Sequence, residues 1–311
     1  MTLNAELGAF LAAIPLLSYA GEPAEFRAKM DAGMALRPVT TPLPRVEDRT
    51  IPGPAGAPEL PVRIYAPETP EAAPGLPVVA FFHGGGFCIG SIASHDPVAR
   101  KIAEQVGCIV VSVEYRLAPE HPFPAAYEDA YAAYAWVREH AADLGGDPDR
   151  VAVAGDSAGA SLSAAVCLMA RDRGIAQPVF QLLWYPATGV EGTASQRANT
   201  NDPLLPPDSI AWFGEHYFSK IPPGAAVPYG AVALADDLSG LAPALVVVAG
   251  EDPLHDEGIV YAERLRAAGV AAAVEDHPDM SHGFVSFADF VAPAAAATTG
   301  SYAALRKAFG K

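Results

Sequence analysis

The chain reads as an α/β protein: a mostly parallel central sheet with helices on both faces. Three observations carry that reading. Short, almost wholly apolar runs recur at 78–82, 108–113 (interrupted only by Ser112), 151–154 and 244–249, and continuous rather than alternating hydrophobicity marks strands buried on both faces. Segments of helical spacing separate these runs, and strand–helix alternation builds parallel sheets through right-handed crossovers. With 51% hydrophobic and 18% charged residues, the 311-residue chain also carries enough apolar surface for a large core.

Residues 1–44 precede the first strand signal. Leu7, Phe10, Leu11 and Ile14, then Phe26, Met30 and Met34, have helical spacing, broken at Pro15 and Pro38. The stretch 7–20 is apolar, but Glu6 precedes it, no Lys or Arg does, and Pro15 interrupts it. It is therefore expected to be an amphipathic helix of the mature protein rather than an export signal. Residues 45–65 predict two strands with a turn at 52–56. The buried strand 78–82 runs directly into His83-Gly84-Gly85-Gly86-Phe87, and a helix at 96–106 leads to the strand 108–113.

A proline-pinned loop, 115–124, comes next, then a helix over 125–144, the strand at Val151 and a helix over 158–171. A further strand at 179–185 is closed by Pro186. From 187 to 228 the strand rhythm stops. Prolines at 203, 206, 207, 222 and 223 punctuate a loop-like segment with one aromatic-rich helical patch at 209–217. The rhythm resumes with the strand 244–249, a helix over 253–268 and a strand at 271–275. A loop holding His282 and a C-terminal helical region follow, with an Ala/Thr-rich, linker-like patch at 293–300. Ligands of parallel sheets bind at the carboxyl ends of the strands, so the loops after Phe82, Ala154, Ala249 and Glu275 are the ones to search. Each carries a polar candidate.

The turn after Ala154 is Gly155-Asp156-Ser157-Ala158-Gly159. A Gly-x-Ser-x-Gly match alone is weak evidence in a Gly-rich chain, but between a buried strand and a helix it places a serine in a sharp, strained turn with Oγ raised above the sheet. A serine hydroxyl becomes a nucleophile when a base takes its proton and a carboxylate orients that base. Beyond Ser157 the histidines are His216, His255, His277 and His282. His282, in the loop past the last strand and followed by Gly283, is the favoured base, with His277 in reserve. The strand 244–249 offers Glu251 and Asp252 at its end; Asp252, just before Pro253, is the favoured acid, while Asp256 and Glu257 fit first-turn acids of the next helix. Gly84-Gly85-Gly86 can present unobstructed backbone N–H groups to an oxyanion, as can Ala158 at a helix N-terminus. His83 has no HExxH or Cys/His cluster around it, so it is expected to support the loop rather than bind metal. Asp156 is expected to tie the serine turn to that loop.

These residues resemble the hormone-sensitive lipase family of α/β-hydrolases. His83-Gly84-Gly85-Gly86 is similar to its HGGG motif, and Gly155-Asp156-Ser157-Ala158-Gly159 to its GDSAG elbow. The run 115–126 is similar to its YRLAPEHPFPAA block, the run 252–258 to its acid loop, and His282-Gly283-Phe284 to its base loop. His255 departs from the pattern, which usually has Arg there; it lies outside the implied triad. The resemblance implies an α/β-hydrolase fold, a triad of Ser157, Asp252 and His282, and oxyanion donors Gly85, Gly86 and Ala158. It also makes residues 1–44 and 187–228 a helical cap over core segments 45–186 and 229–311. Phe87, Tyr185, Leu205, Trp212 and Phe213 are candidates for the substrate pocket.

The activity implied is hydrolysis of short- to medium-chain carboxylic esters through an acyl-enzyme. Acyl transfer and amide hydrolysis share the same triad, and a non-catalytic small-molecule receptor would be the outcome were the base absent. No cofactor or metal is called for. The net charge of −16 argues against nucleic acid and anionic membranes as partners. No apolar run is long enough to span a bilayer. Cys88, Cys108 and Cys167 lack metal-ligand spacing, and two of them lie in apolar runs, which fits a reducing cytoplasm. Oligomeric state is left open between monomer and homodimer.

Overall fold

The computed structural model describes residues 2–14, 19, 21–34, 39–68, 75–199, 201–222, 227 and 229–311. An eight-stranded sheet runs in the order β1-β2-β4-β3-β5-β6-β7-β8. Its strands are β1 (Arg45–Ile51), β2 (Leu60–Ala66), β3 (Leu76–Phe82), β4 (Ile109–Val113), β5 (Gly146–Asp156), β6 (Gln181–Trp184), β7 (Ala244–Ala249) and β8 (Ala272–His277). Pairings from β3 onward are parallel; β1–β2 and β2–β4 are antiparallel. The predicted α/β class is the one observed.

The two faces of the sheet carry separate apolar cores. Alternate residues of the strands, Val78, Ala80, Phe82, Val111, Val153 and Val246 among them, pack with α4 (Ala125–His140), α5 (Ala158–Asp172) and α8 (His255–Ala267). Their neighbours Val79, Phe81, Val110, Ala152 and Val247 pack with α3 (Asp96–Val106) and α9 (Ala292–Ala308). This is why the central strands read as nearly unbroken apolar runs: there each side chain finds a core whichever way it points, whereas the edge strands β1 and β8 expose part of theirs. Trp184 is fully buried and donates its Nε1–H to Ser301 Oγ at 3.0 Å, fastening β6 to α9.

The chain leaves β3 toward β4 and leaves β5 toward β6, in opposite directions along the sheet. Adjacent parallel strands whose connections diverge open a crevice at their carboxyl ends. Phe82 pairs with Gly155 there, so the glycine loop and the serine turn emerge side by side. That closeness depends on the glycine at the start of α5: a Cβ on Gly159 would sit 1.9 Å from the Phe82 carbonyl oxygen.

Several expectations are adjusted. Strand β5 begins at Gly146, well before the apolar run at 151, because its polar start pairs with Leu76 through a register irregularity. The patch at 293–300 is no linker but part of α9, where Ala294, Ala297, Thr298 and Ser301 are buried. The helix expected over 7–20 is α1 (Ala5–Ala13), with 15–18 and 20 outside the described residues. Helix α1 packs against α9, with Leu7 and Leu11 in the core on that face of the sheet. The second N-terminal helix, α2 (Pro23–Met34), and α7 (Pro207–Tyr217), which follows the short α6 (Ala194–Ala198), pack on each other, through Phe26 and Trp212 with ring centroids 5.3 Å apart. Among the described residues no helix is long and apolar enough to cross a membrane.

Candidate active site

Ser157 sits between β5 and α5 with φ 53° and ψ −120°, a conformation that costs a non-glycine residue about 1–3 kcal/mol. Its N–H donates to the Trp184 carbonyl at 2.9 Å, which anchors the turn to β6. His282 Nε2 lies 2.9 Å from Ser157 Oγ, and His282 Nδ1 lies 2.7 Å from Asp252 Oδ2. Thus loops from three strands, each at the same sheet edge, bring a hydroxyl, an imidazole and a carboxylate into one line. Asp252 is wholly buried, and its other oxygen accepts the N–H of Leu254 at 2.7 Å. Burial works against a charge on His282, but Asp252 outweighs it, with Asp202 and Asp156 adding to the effect, and the imidazole is held above its ordinary pKa.

The glycine loop is fastened from below. Gly84 N–H donates to Asp156 Oδ1 at 2.9 Å, and His95 Nε2 lies 3.3 Å from the same oxygen. Burial disfavours charge on Asp156, yet His95 beside it, with His282 adding to the effect, holds its carboxyl below the usual range. His83 is fully buried, stacks on Tyr115 with centroids 4.3 Å apart, and contacts the Gly84 carbonyl through Nδ1 at 2.8 Å. Burial and the neighbouring His95 push its pKa down to about 3, so the ring is neutral.

With the Gly84 N–H so occupied, those of Gly85, Gly86 and Ala158 remain: none has an acceptor among the described residues. Ala158 is the first residue of α5, where N–H groups have no partner within the helix and the dipole favours negative charge. Gly86 has φ +57°, and a Cβ on it would lie 2.3 Å from the Phe213 ring. Only glycine fits between the loop and α7.

A cavity of about 520 Å³ opens from Ser157, lined in part by Gly86, Phe87, Ala158, Leu205 and Phe213. Two residues expected in that lining are elsewhere. Tyr185 is fully buried and packs its ring against His282 and Phe284, at 4.7 Å and 5.5 Å between centroids, behind the imidazole. Trp212 turns from the cavity toward Tyr19 and Phe26 and donates Nε1–H to the Gly21 carbonyl at 3.1 Å. Tyr127, Ile210, Tyr217 and Leu254 also line the space, and no motif or local pattern marks them for that place. The alternative histidines lie apart from Ser157. His277 ends β8, its ring against Phe284; His255 pairs with Asp256 at 3.0 Å and Asp276 at 3.4 Å; His216 contacts the Trp212 carbonyl within α7.

Comparison with known proteins places this geometry. A family model described as alpha/beta hydrolase fold matches residues 79–286. The chain is 47% identical over 292 residues to "Carboxylesterase NlhH" of Mycobacterium tuberculosis, covering 88% of this chain and 87% of that one. Among solved structures, a hyperthermophilic esterase from the archaeon Pyrobaculum calidifontis superposes with a TM-score of 0.89 at 40% identity, over 99% of both chains. An ester hydrolase from the metagenome of Lake Arreo, complexed with a derivative of bipyridine phosphonate, gives 0.90 at 36% identity over 100% of both. With a matched fold, this identity and the motifs around Ser157, the chain belongs to the α/β-hydrolases, on their hormone-sensitive lipase branch.

Proposed function

We propose that this carboxylic-ester hydrolase cleaves short- to medium-chain esters by acyl-enzyme chemistry, with Ser157 as nucleophile, His282 as base and Asp252 as its orienting acid. The observation that carries the reading is the unbroken contact from Ser157 Oγ through His282 to Asp252, at 2.9 Å and 2.7 Å. Ser157 Oγ attacks the ester carbonyl as His282 Nε2 takes its proton, and Asp252 accepts from Nδ1–H and balances the imidazolium. The new oxyanion receives the N–H groups of Gly85, Gly86 and Ala158, which have no other acceptor among the described residues. His282 then passes the proton to the departing alcohol. A water molecule, deprotonated by the same nitrogen, attacks the acyl carbonyl and frees the acid and Ser157.

The segments around α2 and α7 act as a cap, since Leu205 and Phe213 of the second segment form part of the cavity wall. At about 520 Å³ the cavity falls within the roughly 300–1,000 Å³ of small-molecule sites. Its wall is mostly apolar, which suits an alkyl or aryl group rather than a charged one. That Cys88, Cys108 and Cys167 are buried free thiols supports a cytoplasmic setting. The test is a p-nitrophenyl ester series from acetate to palmitate. The expected kcat/KM peaks at short to medium acyl length and falls steeply for the longest chains; a maximum at palmitate would refute the length assignment.

A further inference from the structure

Asp202 lies in the proline-rich segment, 3% exposed, with its two carboxylate oxygens turned to different parts of the molecule. Oδ1 accepts the N–H groups of Leu204 and Leu205 at 2.8 Å and 2.9 Å, closing its own turn. Oδ2 accepts the backbone N–H of His282 at 2.8 Å, across 80 residues of sequence. Turn closure needs a single acceptor, and Asn or Ser supplies one. Only the bond to His282 calls for the second oxygen.

The segment bearing Asp202 is held from the far side as well. Tyr19 donates its hydroxyl to the Leu204 carbonyl at 2.9 Å, and its ring meets Phe213 edge-on at 5.4 Å. Leu204 reaches over the base loop, its Cδ1 3.3 Å from where a Cβ on Gly283 would stand. Contacts thus run from Tyr19 and α7, through 202–205, to the main chain of His282. The charged or titratable groups facing Asp202 are Asp252, His282 and Tyr19. Burial first, and Asp252 second, push its pKa up to about 6. A carboxylate so disfavoured is kept where three N–H donors satisfy it.

We propose that Asp202 is a positioning residue for the base: it suspends the His282 main chain from the cap, so that seating of the cap and alignment of Nε2 on Ser157 Oγ are one event. The inference rests on the triad reading above. It assigns the cap a part in kcat, whereas a cap that only shapes the pocket would act on KM.

Asp202→Asn tests this at constant size. The amide has one acceptor oxygen, so its NH2 group must face either the His282 N–H or those of Leu204 and Leu205. With p-nitrophenyl butyrate, kcat should fall by about 10- to 100-fold, the scale of a base displaced by a fraction of an ångström to an ångström. KM should stay within about threefold, because ground-state binding to the cavity is untouched. The acid limb of the kcat profile should also move to lower pH, because one of the negative charges favouring the imidazolium is gone.

A folded Asp202→Asn protein with wild-type kcat and acid limb, or a loss confined to KM, would overturn the proposal. Should that variant not fold, Tyr19→Phe decides. It removes one bond holding Leu204, and kcat should drop by about three- to tenfold at unchanged KM; unchanged kcat counts against the coupling. Failure of the triad reading is separately visible, because Ser157→Ala would then retain activity whatever Asp202→Asn does.

Discussion

Ser157→Ala should lower kcat for p-nitrophenyl butyrate by on the order of 10⁵- to 10⁶-fold, to the residue of catalysis left by the oxyanion donors and binding alone. The variant loses one oxygen and nothing that holds the turn: the 2.9 Å bond from the Ser157 N–H to Trp184 is a main-chain bond and survives. The positive φ at 157 is likewise kept. Thermal unfolding should therefore be nearly unchanged, and the cavity should still bind product acid. Loss of activity with retained stability separates a chemical role from a structural one. Activity within tenfold of wild type would remove Ser157 from the mechanism.

Asp252→Asn should cost about 10⁴-fold in kcat, because an amide can present NH2 to His282 Nδ1 and stabilise the wrong tautomer, with the proton on Nε2 facing Ser157. The pH dependence gives a second readout. His282 must be neutral to accept the Ser157 proton, so activity is lost as pH falls through the imidazole pKa. In the wild-type enzyme that pKa is held above its ordinary 6.5: burial opposes the charge, but Asp252, Asp202 and Asp156 prevail. The acid limb is accordingly expected above 6.5. Without the Asp252 charge, burial should win, and the residual activity should persist to lower pH. A limb that stays in place would mean that another group titrates.

The centre of the sheet and most of its helices are legible in the residues because the central strands β3 to β7 are buried on both faces and write that burial as nearly unbroken apolar runs. Where the strand is polar, as in 146–150 of β5, pairing geometry decides its start and the sequence is silent. The residues around Ser157 were readable for a related reason. Each lies in a short loop at a strand end, and its chemistry is announced by its immediate neighbours. Asp202 and His95 carry no such local sign. Each matters through one bond made far along the chain, to His282 and beside Asp156. Aromatic residues were ambiguous in both directions. Phe87 and Phe213 line the cavity while Tyr185 and Trp212 pack behind it. Nothing in an isolated ring's sequence context says which side of a wall it will take.

The central claim is that Ser157 Oγ forms the covalent bond to the acyl group, and one measurement addresses it directly. A p-nitrophenyl alkylphosphonate places a tetrahedral phosphorus, with an oxygen resembling the oxyanion, on whichever nucleophile attacks it. After inactivation, intact-mass and peptide-mapping mass spectrometry should find one phosphonyl group per chain, on the peptide containing Ser157, with one equivalent of p-nitrophenolate released. Ser157→Ala should take up none. Labelling of another residue with matching loss of activity, or full inactivation without a label on Ser157, would contradict the account.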